Sequence, residues 1–449
     1  MSGGNALSLQ NGQSILSEKV SDVLRLAKEL GASQAEATAS FGSGFSVNVR
    51  MREVETLRHQ RDQGLGITVW LGNRKGSAST SDLRIDAIHE SVRKACALAR
   101  YGAEDPASGL ADAERLATTV PALDLHHRWD IDPAAAIELA MACEAGALDF
   151  DPRISNSEGA SVSTSEGLRV YGNSHGFLGG YPESDHSISC SVVAAENGAM
   201  ETDYEYAVVR DAADLPLPEA IGREAGRRTV ARLGGIKLTT RVAPVLFPAR
   251  VARGLIGHLL GAISGGALYR KSSYLVGALD TPVFASRVTI DEQPHLAKAL
   301  ASAPFDDEGV ATSERRLVDA GVLRGYLLGS YYARKLGMTS TGNAGGAHNV
   351  VVHSTAGTFE DLLRTMDRGL VITDLMGSGV NPVTGDYSRG ASGFWVENGQ
   401  VQYPVTEITV AGNLKDMYRG IVGIGSDVDR RGGVLTGSIL LEQMTISGS

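Results

Sequence analysis

A histidine stands at position 258 in the stretch Arg253-Gly254-Leu255-Ile256-Gly257-His258-Leu259-Leu260-Gly261-Ala262-Ile263. An imidazole can ligate a metal or move a proton. Metal-assisted hydrolysis needs more: several neutral ligands and a carboxylate that takes a proton from the bound water. The stretch holds no acid and no second histidine. At helical spacing His258 shares a stripe with Val251 and Leu255. A lone histidine on such a face is usually a packed residue with one hydrogen bond; ligation or catalysis is the sharper alternative. His348 and His353 lie five apart in a segment that reads as a strand. Odd spacing puts them on opposite faces, which makes them poor co-ligands unless the chain bulges.

The block from Gly377 to Gly390 (Gly-Ser-Gly-Val-Asn-Pro-Val-Thr-Gly-Asp-Tyr-Ser-Arg-Gly) is more distinctive. Its glycines allow tight turns and close approach by another backbone. Asp386 and Arg389 could contact a peptide, or merely pin a turn. Gly385, Asp386, Tyr387, Ser388, Arg389 and Phe394 are the candidate peptide-binding residues. No phosphate-binding Gly-x-x-x-x-Gly-Lys-Ser/Thr, no dinucleotide loop after a strand and no Gly-x-Ser-x-Gly elbow occurs. Asp427-x-Asp429-x-Arg431-Gly432 begins like a calcium loop but fails at Arg431 and again at Ser438, where a bidentate glutamate is required.

These segments sit in a chain of 449 residues, long enough for two or three domains. Hydrophobic residues make up 43% and charged residues 21%, which suits ordinary packed cores. The formal charge of -10 and the lack of a basic block argue against direct nucleic-acid binding. Cys96, Cys143 and Cys190 are few and widely spaced, as in a reducing cytoplasm, and none lies in the C-terminal half. The opening Met-Ser-Gly-Gly-Asn-Ala-Leu shows no leader pattern, and the apolar run Gly254–Leu268 is shorter than the roughly 20 residues of a membrane span. A cytoplasmic protein with no membrane contact is expected.

Hydrophobic periodicity predicts a helix over 14–30, with Leu16, Val20, Val23 and Ala27 on its buried stripe. Alternating strands follow at 45–51 and 65–69, then a helix from Ser81-Asp82 to about Arg100. Asp132-Pro133 starts a third helix. Strands at 160–171 and 188–192, an Asn197-Gly198 hairpin and a helix over 218–233 complete a second helix–strands–helix series. That recurrence is either an old duplication or two ordinary units. From Ile236 a strand leads into the helix that carries His258. A short helix is expected at 358–368, capped by Thr358 and stopped by Gly369; the rest reads as strand and turn, including an Asn398-Gly399 hairpin. The fold class is therefore α+β: N-terminal units with antiparallel sheets and flanking helices, then a β-rich C-terminal domain. Boundaries are placed at 1–105, 106–233 and 234–449.

Several segments, taken in order, resemble the TldD/PmbA family on its PmbA (TldE) side. They are Ile256-Gly257-His258, Ser264 to Ser272 with Tyr269 and Arg270, Ser340 to Asn349, Gly385 to Gly390, Gly393 to Gly399, and Ile408 to Met417. The likeness is dense from about residue 240 onward. It implies a subunit that pairs with a TldD-like metalloprotease, the pair trimming unfolded peptides such as microcin precursors and labile antitoxins. An older family label is modulator of DNA gyrase.

In that family TldD carries His-Glu-x-x-x-His and a distant cysteine ligand. If His258 matches the first histidine, the other two positions are Leu259 and Ile263; if the second, they are Gly254 and Arg253. Either register loses the base and a ligand. The resemblance thus implies no zinc and no catalytic residue in this chain, with zinc held by the partner and His258, Tyr269 and Arg270 left on a remnant active-site helix. The alternative is a stand-alone, homodimeric peptide-binding or regulatory module. A hydrolase acting through Ser388 ranks last.

Overall fold

A computed structural model describes residues 9–448. The Met1–Leu7 segment, read above as lacking a leader, lies outside the described residues. The chain first forms α1 (Leu9–Glu29), β1 (Gln34–Arg50), β2 (Glu53–Leu71), β3 (Arg74–Thr80) and α2 (Ile85–Tyr101). It then forms α3 (Pro133–Leu148), β4 (Ile154–Asn173), β5 (Leu178–Glu196), β6 (Ala199–Val209) and α4 (Pro218–Ala231). Both series read helix, three strands, helix.

The strands make one antiparallel sheet in the order β3-β2-β1-β4-β5-β6. Its centre is the β1–β4 pair, in register from Glu36↔Asn173 to Val49↔Ala160. The two series thus share a sheet across an approximate two-fold axis. Odd-numbered β1 residues face the helices throughout. Ala35 to Phe41 pack with Leu16, Val20, Ile88 and Val92, whereas Val47 and Val49 pack with Ala136, Ala140 and Ile221. Each fully buried aliphatic side chain of this kind contributes about 1.5–3 kcal/mol. Cys96, Cys143 and Cys190 are buried, unpaired thiols within these cores.

Local chemistry sets several element ends. Asp132 caps α3 by accepting from the Ala135 N–H at 2.8 Å, with Pro133 in the first turn. We expect Asp132→Ala to lower stability by about 1 kcal/mol, read as a shifted denaturant midpoint with an unchanged slope. Asn197 and Gly198 both adopt positive φ at the tip of the β5–β6 hairpin, the backbone that a two-residue turn between right-twisted strands demands.

The C-terminal part begins with β7 (Arg241–Phe247), α5 (Ala249–Ala262), α6 (Gly265–Tyr269), β8 (Ile290–Glu292), β9 (Arg315–Asp319) and β10 (Val322–Leu323). Next come α7 (Ser330–Lys335), β11 (Val350–Val352), α8 (Phe359–Met366), β12 (Gly369–Met376), β13 (Asp386–Glu397) and β14 (Gln400–Asn413). The chain closes with α9 (Leu414–Arg419), β15 (Ile421–Ile424), β16 (Val434–Leu435) and β17 (Ile439–Ser447). One sheet runs β10-β9-β8-β11-β16; the other runs β14-β13-β12-β7-β17-β15 and is closed by a further β14–β17 pairing. The predicted α+β class, with antiparallel N-terminal pairing and a β-rich C-terminal domain, holds.

Two details differ from expectation. The C-terminal region also holds the short helices α6, α7 and α9, whose five or six residues are too few for a periodic signal. And α8 does not end at Gly369. Thr358 and Asp361 form a reciprocal capping box at its start, and Asp367, with φ 55°, ends it. Gly369 instead opens β12, where a Cβ would meet the Pro244 carbonyl of β7 at 2.4 Å.

Candidate functional site

The α5 helix buries Leu255, Ile256, Leu259 and Ala262 in the main C-terminal core. His258 projects beside that stripe, half-buried, with its ring edge-on to Tyr387 of β13 at a centroid distance of 5.9 Å. Burial lowers the imidazole pKa and the Arg389 guanidinium adds to the effect, so the ring is neutral near pH 7. Arg389 donates from Nη2 to the Leu375 carbonyl at 3.0 Å, while its Nε is buried without a partner. His258 therefore differs from the singly hydrogen-bonded core histidine expected: ring packing, not a hydrogen bond, is its described contact.

The tertiary structure thus unites His258 with Tyr387 and Arg389, which lie more than a hundred residues further along the chain. A metal does not fit this set. The charge that acts on the ring is a cation, Arg389, and among the described residues no group of three or more His, Cys, Asp or Glu is placed to hold a metal ion. The glycine block folds as two close runs, with the Ser388 N–H donating to the Gly379 carbonyl at 2.7 Å and β14 pairing on the other side at Ser388↔Ala411. An extended peptide that approached this block to pair with its backbone as an added strand would find no free edge here. Asp386 is exposed and accepts from Thr384 and then Asn413, which lower its pKa. Gly385, with φ 85°, lies against Asn413 and Tyr274. Ser388 is exposed. Phe394 packs with Leu362, Leu363 and Met366 under α8, in a different core from Tyr387. It is not grouped with the other candidates.

Tyr269 and Arg270, the other residues of the remnant, lead to a separate place. They stand at the end of α6 beside a cleft of about 680 Å³. Leu260, Ser264, Gly265 and Arg270 form one wall, Tyr331 and Tyr332 of α7 another, and the Asn343–Ala347 loop a third. Tyr269 is exposed, its ring 6.1 Å from that of Tyr332 and under the Lys335 ammonium. Arg270 donates to the Tyr332 hydroxyl at 3.3 Å. Of the remnant residues, His258 faces away from this cleft and Arg270 into it.

A buried polar network, not anticipated from sequence, holds the cleft loop. Glu292, 2% exposed, accepts from Arg315 Nε at 2.7 Å, Asn343 Nδ2 at 2.7 Å and the His348 N–H at 2.8 Å. Arg315 reaches on to the Asn343 Oδ1 at 2.6 Å and the Tyr326 carbonyl at 2.9 Å. Burial pushes the Glu292 pKa up, but the His348 hydrogen bonds and the Arg315 charge outweigh it and hold the carboxyl at about 2. Next to this network, burial pushes Asp306 up to about 7, against the Ala344, Glu308 and Val310 N–H groups that favour its ionised form. His348 and His353 do take opposite faces. His348 meets Glu292, and His353 meets Asp291 at 2.7 Å, so consecutive β8 carboxylates engage one each. The signal in the sequence is short and scattered: an Asp291-Glu292 pair, an Arg315-Arg316 pair and two separate histidines. The calcium-like turn is closed from within, by Ser438 on Asp427 and Arg431 on Asp429.

Three sheets, a helix whose histidine packs against Tyr387 near the Arg389 guanidinium, and a polar cleft beside α6 make up the fold and its candidate site. The sequence comparisons give the family. Models described as the PmbA/TldA metallopeptidase domain 1, central domain and C-terminal domain match residues 35–99, 126–233 and 240–448. The chain is 51% identical to the metalloprotease PmbA of Escherichia coli O157:H7, over 97% of this chain and 96% of that one. This protein belongs to the PmbA/TldD family. Among solved structures, a candidate modulator of DNA gyrase from Bacteroides thetaiotaomicron matches with a TM-score of 0.92 and 28% identity, covering 96% of this chain and 98% of the other. TldE of Thermococcus kodakarensis shares the fold, with a TM-score of 0.83 at 20% identity, covering 96% and 100%.

Proposed function

We propose that this chain is the PmbA/TldE-type subunit of a peptidase complex, paired with a TldD-like chain that brings the zinc and the catalytic glutamate. It supplies chamber wall and substrate-binding surface for unfolded peptides, the class that includes microcin precursors and labile antitoxins. The observation that carries this reading is the environment of His258. Tyr387 packs on the ring and the Arg389 charge acts on it, while the positions that the motif would fill, Leu259 and Ile263 or Gly254 and Arg253, hold no carboxylate and no imidazole. Peptide contact near β13 then runs through the exposed Asp386 and Ser388 side chains, and Arg389 beside them, not through the strand edge. The reading places the complex in the cytoplasm. Consistent with it, no helix among the described residues is long and apolar enough to cross a membrane.

The purified chain is expected to hold no stoichiometric zinc by elemental analysis and to cleave no peptide alone. Cleavage should appear when a His-Glu-x-x-x-His partner is added, and should vanish when that partner's glutamate is replaced. One zinc per chain in the isolated protein, with activity abolished by a chelator, would overturn the proposal. Recovery from native extract of this chain with only further copies of itself would instead favour a homodimeric binding module.

A further inference from the structure

The cleft beside α6 carries two opposite charges that do not pair. Arg270 lines one side, and no carboxylate lies within ion-pair distance of its guanidinium among the described residues. Glu308 lines the same cleft; one oxygen accepts from the Ser330 N–H at 2.9 Å. In a cavity of about 680 Å³ an unpaired guanidinium and a carboxylate leave room between them for a molecule that carries both complementary groups.

The rest of the lining fits such a molecule. Gly266 leaves space for the Arg270 fork, because a Cβ there would lie 3.2 and 3.3 Å from its two terminal nitrogens. The Tyr332 hydroxyl sits 3.3 Å from one of them, a second group able to donate to an anion. Gly345 and Gly346 hold positive φ, and a Cβ at Gly346 would meet nothing within 4 Å. The N–H groups of Gly345 and Ala347 make no described backbone hydrogen bond. Between Gly329 and Tyr331 of the wall, Ser330 is 4% exposed, and its Oγ has no partner. Leu260, Leu327, Tyr331 and Val434 add apolar surface. A planar carboxylate suits the arginine fork. A polyphosphate does not suit a cleft that also presents Glu308.

We infer that this cleft binds the free carboxylate end of a short peptide, with Arg270 and Tyr332 on the carboxylate, the terminal side chain on the apolar wall, and Glu308 toward the amine. The inference rests on the reading of this chain as a peptide-handling subunit. It adds a site, lined from α5 by Leu260 and not by His258, that recognises a chain end or a released product.

Calorimetric titration of the full chain with the tripeptide Ala-Ala-Phe tests it. The free acid should bind at least tenfold more tightly than the C-terminal amide, and N-acetylation should weaken it a few-fold. Arg270→Gln should bring the acid to the level of the amide, whereas Arg270→Lys should keep part of the difference. Gly266→Ala, which displaces the fork without removing it, should also reduce the preference. Equal binding of acid and amide, a preference that survives Arg270→Gln, or no binding of any form would overturn the inference. None of those results touches zinc content or partner-dependent cleavage, by which the subunit reading stands or falls separately.

Discussion

Arg315→Leu is expected to lower stability by about 3–5 kcal/mol, the largest loss foreseen for a single side chain outside the apolar cores. The substitution strands the Glu292 carboxylate, 2% exposed, and removes the donor that also holds Asn343. Thermal unfolding should show a fall of about 3–5 °C. The double variant Arg315→Leu with Glu292→Leu should recover part of that loss, because an apolar pair leaves no unpaired charge. A full-sized loss in the double variant would show that packing, not the buried charge, is responsible.

The same network sets a pH dependence with a definite sign. Glu292 has its folded pKa depressed from 4.5 to about 2. Its stabilising contribution is therefore complete above pH ~4.5 and is lost as pH falls toward 2, amounting to about 3 kcal/mol. In Arg315→Leu the deficit relative to the parent should shrink over that window, because protonation neutralises the stranded carboxylate. A deficit that stays constant from pH 7 to pH 3 would rule out Glu292 as its source.

Gly222→Ala is expected to destabilise where Gly257→Ala stabilises. Both glycines sit inside helices, and alanine is the better helix former by about 1 kcal/mol. At Gly222 of α4, however, a Cβ would fall 1.8 Å from the Cys143 carbonyl of α3, so the two helices must move apart. Overpacking of backbone on backbone costs about 3 kcal/mol, which leaves a net loss of about 2 kcal/mol. At Gly257 of α5 the added Cβ meets nothing within 4 Å, and a gain of up to about 1 kcal/mol should be seen in the isolated chain. Denaturant titration of both variants checks the pair of signs; a loss at Gly257 would show that α5 is held by something other than the contacts described.

The elements with strong periodic signals were legible. The helix that carries Leu16, Val20 and Val23, the Asp132 cap, and the Asn-Gly hairpins at 197–198 and 398–399 all rest on interactions within a few residues. So did the lack of an acid or second histidine around position 258, which holds in either register of the motif. Gly369 was misread as a helix stop because its cause lies across the sheet, in the Pro244 carbonyl. The short helices α6, α7 and α9 were missed because one or two turns show no period and owe their form to the cores around them.

Residue types and spacing alone determined the α+β class and the absence of a complete zinc motif around His258, because both depend on local chemistry that needs no partner. Only the tertiary structure decided what surrounds His258, split that histidine from Arg270, and moved Phe394 to another core. It also built the Glu292 network from β8, β9 and the 343–348 loop. Those outcomes depend on which strands pair over tens to hundreds of residues, and a side chain 131 residues along the chain, such as Arg389, enters the field of His258 only after that pairing is made.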